Sequence, residues 1–107
     1  MLKQLSDKEF ETLLRDKHTA VVELYSEQCE TCMCKSVYSQ IEQTMSFYGE
    51  CLTFACINID QYPTVASNYS LEGAPHVLFI KEGKLVERIY GYAPTSLLNM
   101  MIQKLHL

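Results

Sequence analysis

Ala20-Val21-Val22-Glu23-Leu24-Tyr25-Ser26-Glu27-Gln28-Cys29-Glu30-Thr31-Cys32 is the stretch that decides how this chain folds. Its first six residues are largely apolar, partly β-branched and barely alternating, the pattern of a strand covered on both faces. Its last four place two cysteines three apart, where the strand hands over to a helical pattern from about Met33 to Tyr48. A helix start favours negative charge through unpaired backbone N–H groups and the macrodipole, so a thiol there has a lowered pKa. The i, i+3 spacing lets the second sulfur reach the first, and a disulfide can form and break without unfolding the chain. A third cysteine, Cys34, stands two residues further on.

The same reading extends in both directions. Leu2 to Leu5 is a short edge strand. Ser6-Asp7-Lys8-Glu9 is a capping box that opens a helix through about Asp16, with Phe10, Leu13 and Leu14 at helical spacing. Beyond the cysteines, Val37, Ile41, Met45 and Tyr48 share one helix face, and Gly49 ends that helix. Leu52 to Asp60 is a strand. Pro63 starts a short helix with Val65, Ala66 and Tyr69 inward. Gly73-Ala74-Pro75 is a loop, and His76 precedes a doubly covered strand, Val77 to Ile80. Glu82-Gly83-Lys84 is a hairpin turn leading into Leu85 to Tyr90. Pro94 begins a last helix whose stripe is Leu97, Leu98, Met101, Ile102 and Leu105. The order β-α-β-α-β-α-β-β-α predicts an α/β fold: a mixed five-stranded sheet flanked by four helices.

Bulk properties bound the function. A chain of 107 residues is expected to form one domain, residues 1–107, around a single core. A net charge of −4 without a basic cluster argues against nucleic acid as a partner. No apolar run approaches the roughly 18 residues of a membrane span, and the N-terminus lacks a signal-peptide pattern. Five cysteines, odd in number and unevenly spaced, argue against a secreted disulfide scaffold. They point to a reduced, cytoplasmic protein with one redox or metal site.

With cysteine pair and element order together, the chain resembles the thioredoxin family, and the resemblance covers essentially all of it. Asn58-Ile59-Asp60 is similar to the family's third-strand ending. Ala74-Pro75 stands where the family carries a cis-proline facing the disulfide, and Gly91 matches a glycine bordering the substrate groove. Glu23, six residues before Cys29, matches the family's buried acid. The resemblance implies a thioredoxin fold and thiol–disulfide oxidoreductase activity on protein disulfides, without a bound cofactor or metal. It implies an electron donor such as a thioredoxin reductase or a low-molecular-weight thiol, and a monomer. The sequence also departs from the pattern. Gln28-Cys29-Glu30-Thr31-Cys32 stands for Trp-Cys-Gly-Pro-Cys, and the chain has no tryptophan. Val37 replaces a helix proline, and Cys56 replaces the lysine that often accompanies the buried acid.

The expected chemistry follows. Cys29 attacks a substrate disulfide, and Cys32 resolves the mixed disulfide. Glu27 and Glu30 oppose the helix-start effect and hold the Cys29 pKa toward the free value of about 8.5, which favours a reductant over an oxidant. Glu23, desolvated in its strand, shuttles a proton to or from Cys32. Ala74, Pro75 and Gly91 border the substrate strand. His76 reads as the polar first residue of its strand in preference to a tuner of the thiolate.

Cys34 is open to three readings. On a helical wheel it falls with Val37, Ile41 and Tyr48, about 200° from Cys32. It is therefore a small buried apolar side chain, an alternative resolving thiol, or part of a metal or oxidation site. The segment from Cys32 to Leu52 is two residues longer than the family spacing. Inserted at the helix start, those residues put Cys34 at the resolving cysteine's phase. Cys51 and Cys56 read as inert core thiols. Two further classes stay in view: a redox-responsive binding module without turnover, and a Cys29/Cys32/Cys34 metal site, which lacks the fourth ligand structural zinc usually takes.

Overall fold

The computed structural model describes residues 1–29, 33–48 and 52–106. The elements are β1 (Lys3–Gln4), α1 (Asp7–Arg15), β2 (Ala20–Tyr25), α2 (Met33–Met45), β3 (Thr53–Asn58), α3 (Pro63–Ser67), β4 (His76–Lys81), β5 (Lys84–Tyr90) and α4 (Thr95–Gln103). The strands form one mixed sheet in the order β1-β3-β2-β4-β5. β2 lies at its centre, parallel to β3 and antiparallel to β4.

That central place explains the lack of alternation in Ala20–Tyr25. Val21 faces the core beneath α2 and α4, with Phe54, Val77, Phe79, Leu98 and Ile102. Ala20, Val22 and Leu24 face the opposite core, with Phe10, Leu13, Val65 and Leu78. Both faces are covered, so every position from Ala20 to Leu24 is buried. Strand periodicity turns Glu23 to the same side as Val21, toward α2.

The helices begin and end for local reasons. Ser6 Oγ accepts from the Glu9 N–H at 3.1 Å, and Glu9 Oε1 accepts from the Ser6 N–H at 3.0 Å, completing the capping box at α1. α2 ends at Met45, three residues short of the expected Tyr48, because its last amides tighten. Phe47 and Tyr48 donate to the carbonyls of Thr44 and Met45, three residues back. Gly49, expected as the helix terminator, lies outside the described residues, as do Glu30, Thr31, Cys32 and Cys51. Likewise α3 stops at Ser67, and Tyr69 packs against the second core from the turn beyond it. Among the described residues no helix is long and apolar enough to cross a membrane.

Candidate active site

The site lies where β2 gives way to α2. Asp60, just past β3, ties down the turn between them. Its carboxylate accepts from Ser26 Oγ and from the Glu27 N–H, each at 2.9 Å. Ser26 Oγ accepts in turn from the Gln28 N–H at 3.1 Å, and Asn58 Nδ2 donates to Glu27 Oε1 at 3.3 Å. The Cys29 N–H completes the turn on the Ser26 carbonyl at 3.4 Å. Two residues at the end of β3 thus fix the approach to the half-buried Cys29.

Cys29 Sγ points at the first turn of α2 and accepts from the Cys34 N–H at 3.4 Å. Cys34 is 5% exposed and leads the buried face of α2, followed by Val37, Ile41 and Thr44. Burial pushes its thiol up to about 12. The Ser26 backbone pulls the other way, while Cys29 and Glu23 add to the rise.

Glu23 forms the floor. It is fully buried, and neither carboxylate oxygen has a hydrogen-bond partner among the described residues. Desolvation, then the charge of Cys29, raises its pKa to about 8. A cavity of about 340 Å³ connects these groups, bounded by Glu23, Cys29, Cys34, Lys35, Tyr38 and Cys56 among others. Cys56 is the register partner of Glu23 across β2 and β3. Its thiol donates to Gln4 Oε1 at 3.3 Å, and Gln4 Nε2 donates to Tyr25 Oη at the cavity's edge. Burial, then Glu23, pushes the Cys56 thiol up to about 11.

Ala74, Pro75 and Gly91 form a second group. The Ala74–Pro75 bond is cis, and the Pro75 carbonyl accepts from the Gly91 N–H at 3.0 Å. Gly91 has φ +88°, and a Cβ there would lie 3.8 Å from Met33 Sδ. The corner therefore abuts the head of α2 one residue before Cys34.

A scan against family models matches Thioredoxin over residues 1–104. The chain belongs to the thioredoxin family. Its activity is the thiol–disulfide exchange of that family. A thioredoxin of Chlorobaculum thiosulfatiphilum is 30% identical over 102 residues, spanning 94% of this chain and 93% of that relative. Among solved structures, the thioredoxin of Fasciola hepatica superposes with a TM-score of 0.80 at 26% identity, covering 96% of this chain and 98% of the other. Chloroplastic thioredoxin z shares the fold, with a TM-score of 0.84 at 18% identity over 98% of this chain and 94% of its own.

Against the thioredoxin pattern, Glu23 and Cys29 come together as expected, and Cys34 joins them. The assignment of Cys32 falls outside the described residues. Among those described, no group of three or more His, Cys, Asp or Glu is placed to hold a metal ion, and Cys32, a member of the metal alternative, lies outside them. His76 is the first residue of β4 but only 5% exposed. Its Nε2 lies 2.9 Å from the Glu72 carbonyl oxygen, which only accepts, and its ring stacks on Tyr90 at 4.7 Å. It braces the loop before Pro75. Asp60 and Ser26 are the site-building residues that sequence reading passed over. Asp60 appeared only as a strand ending, and the signal that finds it is spatial: a carboxylate facing successive polar groups of another turn.

Proposed function

We propose that the chain is a reductant of protein disulfides, with Cys29 as the nucleophile. The observation that carries this reading is the fully buried carboxylate of Glu23, without a hydrogen-bond partner among the described residues, beside the Cys29/Cys34 pair. An acid kept at a pKa of about 8 can exchange a proton with a thiol near neutral pH. Bare burial otherwise costs stability, so its place beside two thiols is best read as proton transfer. The thiolate of Cys29 attacks one sulfur of a substrate disulfide. A new S–S bond joins Cys29 to the substrate, and the other substrate sulfur leaves as a thiolate and takes a proton. A second thiol from the Cys32–Cys34 segment then releases the substrate.

The extended backbone of the substrate pairs along Ala74, Pro75 and Gly91. Tyr90 and Tyr92, 66% and 52% exposed, flank Gly91 and supply apolar contact for side chains around the disulfide. One chain carries every group named, so a monomer suffices, and no bound cofactor enters the cycle. The oxidised pair is returned to the dithiol by a thioredoxin reductase or a low-molecular-weight thiol. The thiols of Cys34 and Cys56 suit a reducing compartment such as the cytoplasm.

Reduction of insulin disulfides in the presence of dithiothreitol tests this reading. The wild type accelerates precipitation of the insulin B chain over dithiothreitol alone, and Cys29→Ser abolishes the acceleration. A wild type no faster than dithiothreitol would instead favour a binding module without turnover.

A further inference from the structure

Among the described residues, Cys34 is the cysteine whose amide bonds Cys29 Sγ. We propose that Cys34 is the resolving thiol, so that the redox pair is Cys29–Cys34 with four residues between, and the Cys29-x-x-Cys32 spacing is not the working one. This rests on the reductase reading above and deepens it.

The geometry is specific. The amide of Cys34 lies 3.4 Å from Cys29 Sγ, so the Cys34 Cα is no more than about 5 Å from that sulfur. Cys29 and Cys34 also line one cavity, and from that Cα a side-chain rotation can bring the Cys34 sulfur toward an S–S distance of about 2.05 Å. Cys34 shares one cavity with Glu23, which supplies a base beside a thiol closed off from bulk solvent. Cys56 lines that cavity too, but its thiol is engaged with Gln4.

Glu23 takes the Cys34 proton, and the resulting thiolate attacks Cys29 Sγ of the mixed disulfide. The Cys29–Cys34 bond forms, the Cys29–substrate bond breaks, and the substrate sulfur leaves as a thiolate that is protonated. Over the cycle the substrate disulfide gains two electrons, and the two cysteines lose two. Timing is built in. The charge of the Cys29 sulfur helps keep Cys34 protonated in the resting dithiol. Once that sulfur is bonded to substrate its charge is gone, and the Cys34 proton becomes easier to remove at the step that needs it.

Glu30 and Met33 separate the three cysteines, so the pairing can be mapped directly. After oxidation with diamide and alkylation of remaining thiols, cyanogen bromide cuts after Met33 and a glutamate-specific protease cuts after Glu30. Mass spectrometry is expected to find the Cys29 peptide linked to the peptide beginning at Cys34. A link from the Cys29 peptide to Thr31-Cys32-Met33, or between Cys32 and Cys34, overturns the proposal. In the insulin assay, Cys34→Ser accumulates a covalent insulin adduct on non-reducing gels, and its turnover falls more than about tenfold. Cys32→Ser completes the cycle without the adduct. The reverse pattern also overturns the proposal. Failure of the wild type to reduce insulin counts against the reductase reading instead, and the mapping on unmutated protein still decides the pairing.

Discussion

Glu23 carries the sharpest consequence at the scale of one residue. Its carboxylate is useful as a base only when ionised, and burial with the charge of Cys29 holds its pKa at about 8 in the dithiol. Bonding of Cys29 to substrate removes the second cause, so the value at the resolving step lies below that. The rate of release from the mixed disulfide should therefore rise with pH to a plateau, with a midpoint below 8. Glu23→Gln keeps the shape and removes the base. Its release rate is expected to fall about a hundredfold, in the range found for lost general bases, and to lose that pH midpoint. Rapid-quench measurement of substrate release across pH 5.5 to 9 checks both. An unchanged midpoint in the variant would assign the titration to another group. That Glu23 is buried was legible from its strand, because an unbroken apolar run leaves a lone carboxylate no solvated face. Its pairing with Cys34 was not legible. Three cysteines within six residues differ by rotation about a helix whose start no residue in the stretch marks, and the wheel put Cys34 first in a core role, with resolution as an alternative.

Two connections between elements govern whether the site is held in place. The turn from β2 to α2 depends on Asp60, whose exposed carboxylate receives Ser26 Oγ and the Glu27 N–H. Asp60→Ala removes both acceptors. It is expected to cost about 0.5–1.5 kcal/mol, the range for an ordinary hydrogen bond, because the Asp60 carboxylate is exposed. It should also lower kcat/KM for insulin reduction several-fold by loosening the approach to Cys29, while Asp60→Asn, which retains one oxygen acceptor, recovers part of both. Urea melts and steady-state rates on the two variants check this, and equal activity of Asp60→Ala and wild type would show that the turn holds Cys29 without it. The second connection is the β4–β5 hairpin at the far end. Gly83 has φ +82°, and a Cβ there would lie 2.2 Å from the Leu14 carbonyl oxygen, with the Gly83 N–H donating to the His18 carbonyl. Gly83→Ala meets both a disfavoured backbone conformation and a fixed backbone atom, and is expected to lose about 2–4 kcal/mol. Thermal unfolding checks it. The hairpin was readable from Glu82-Gly83-Lys84 because turn chemistry is local. Its docking against the end of α1 was not, because it joins residues nearly seventy positions apart in sequence.

At the scale of the whole molecule, the sheet buries two apolar cores on its two faces, and the Glu23 carboxylate is buried on one of them without a hydrogen-bond partner among the described residues. Near-continuous burial along β2, β3 and β4 makes this fold readable from short apolar runs, because a strand covered on both faces has no solvated side to alternate with. The same arrangement makes the molecule's stability depend on pH. Glu23 has an ordinary value of 4.5 and a folded value of about 8. The folded state therefore holds a proton that the unfolded chain gives up, and stability falls as pH rises from about 4.5 to about 8, with no further loss from this group above. The full penalty is of order 3–5 kcal/mol at high pH, because each pKa unit is worth about 1.4 kcal/mol. Glu23→Gln removes the titration. The reduced variant should match the reduced wild type near pH 4 and exceed it increasingly toward pH 8.5. Denaturation in urea at matched pH values, with a reductant present throughout, reads the difference directly. A gap that stays constant with pH would mean that the carboxylate is ionised with equal ease in both states, and the proton relay to Cys34 would lose the raised pKa that matches its base to a thiol.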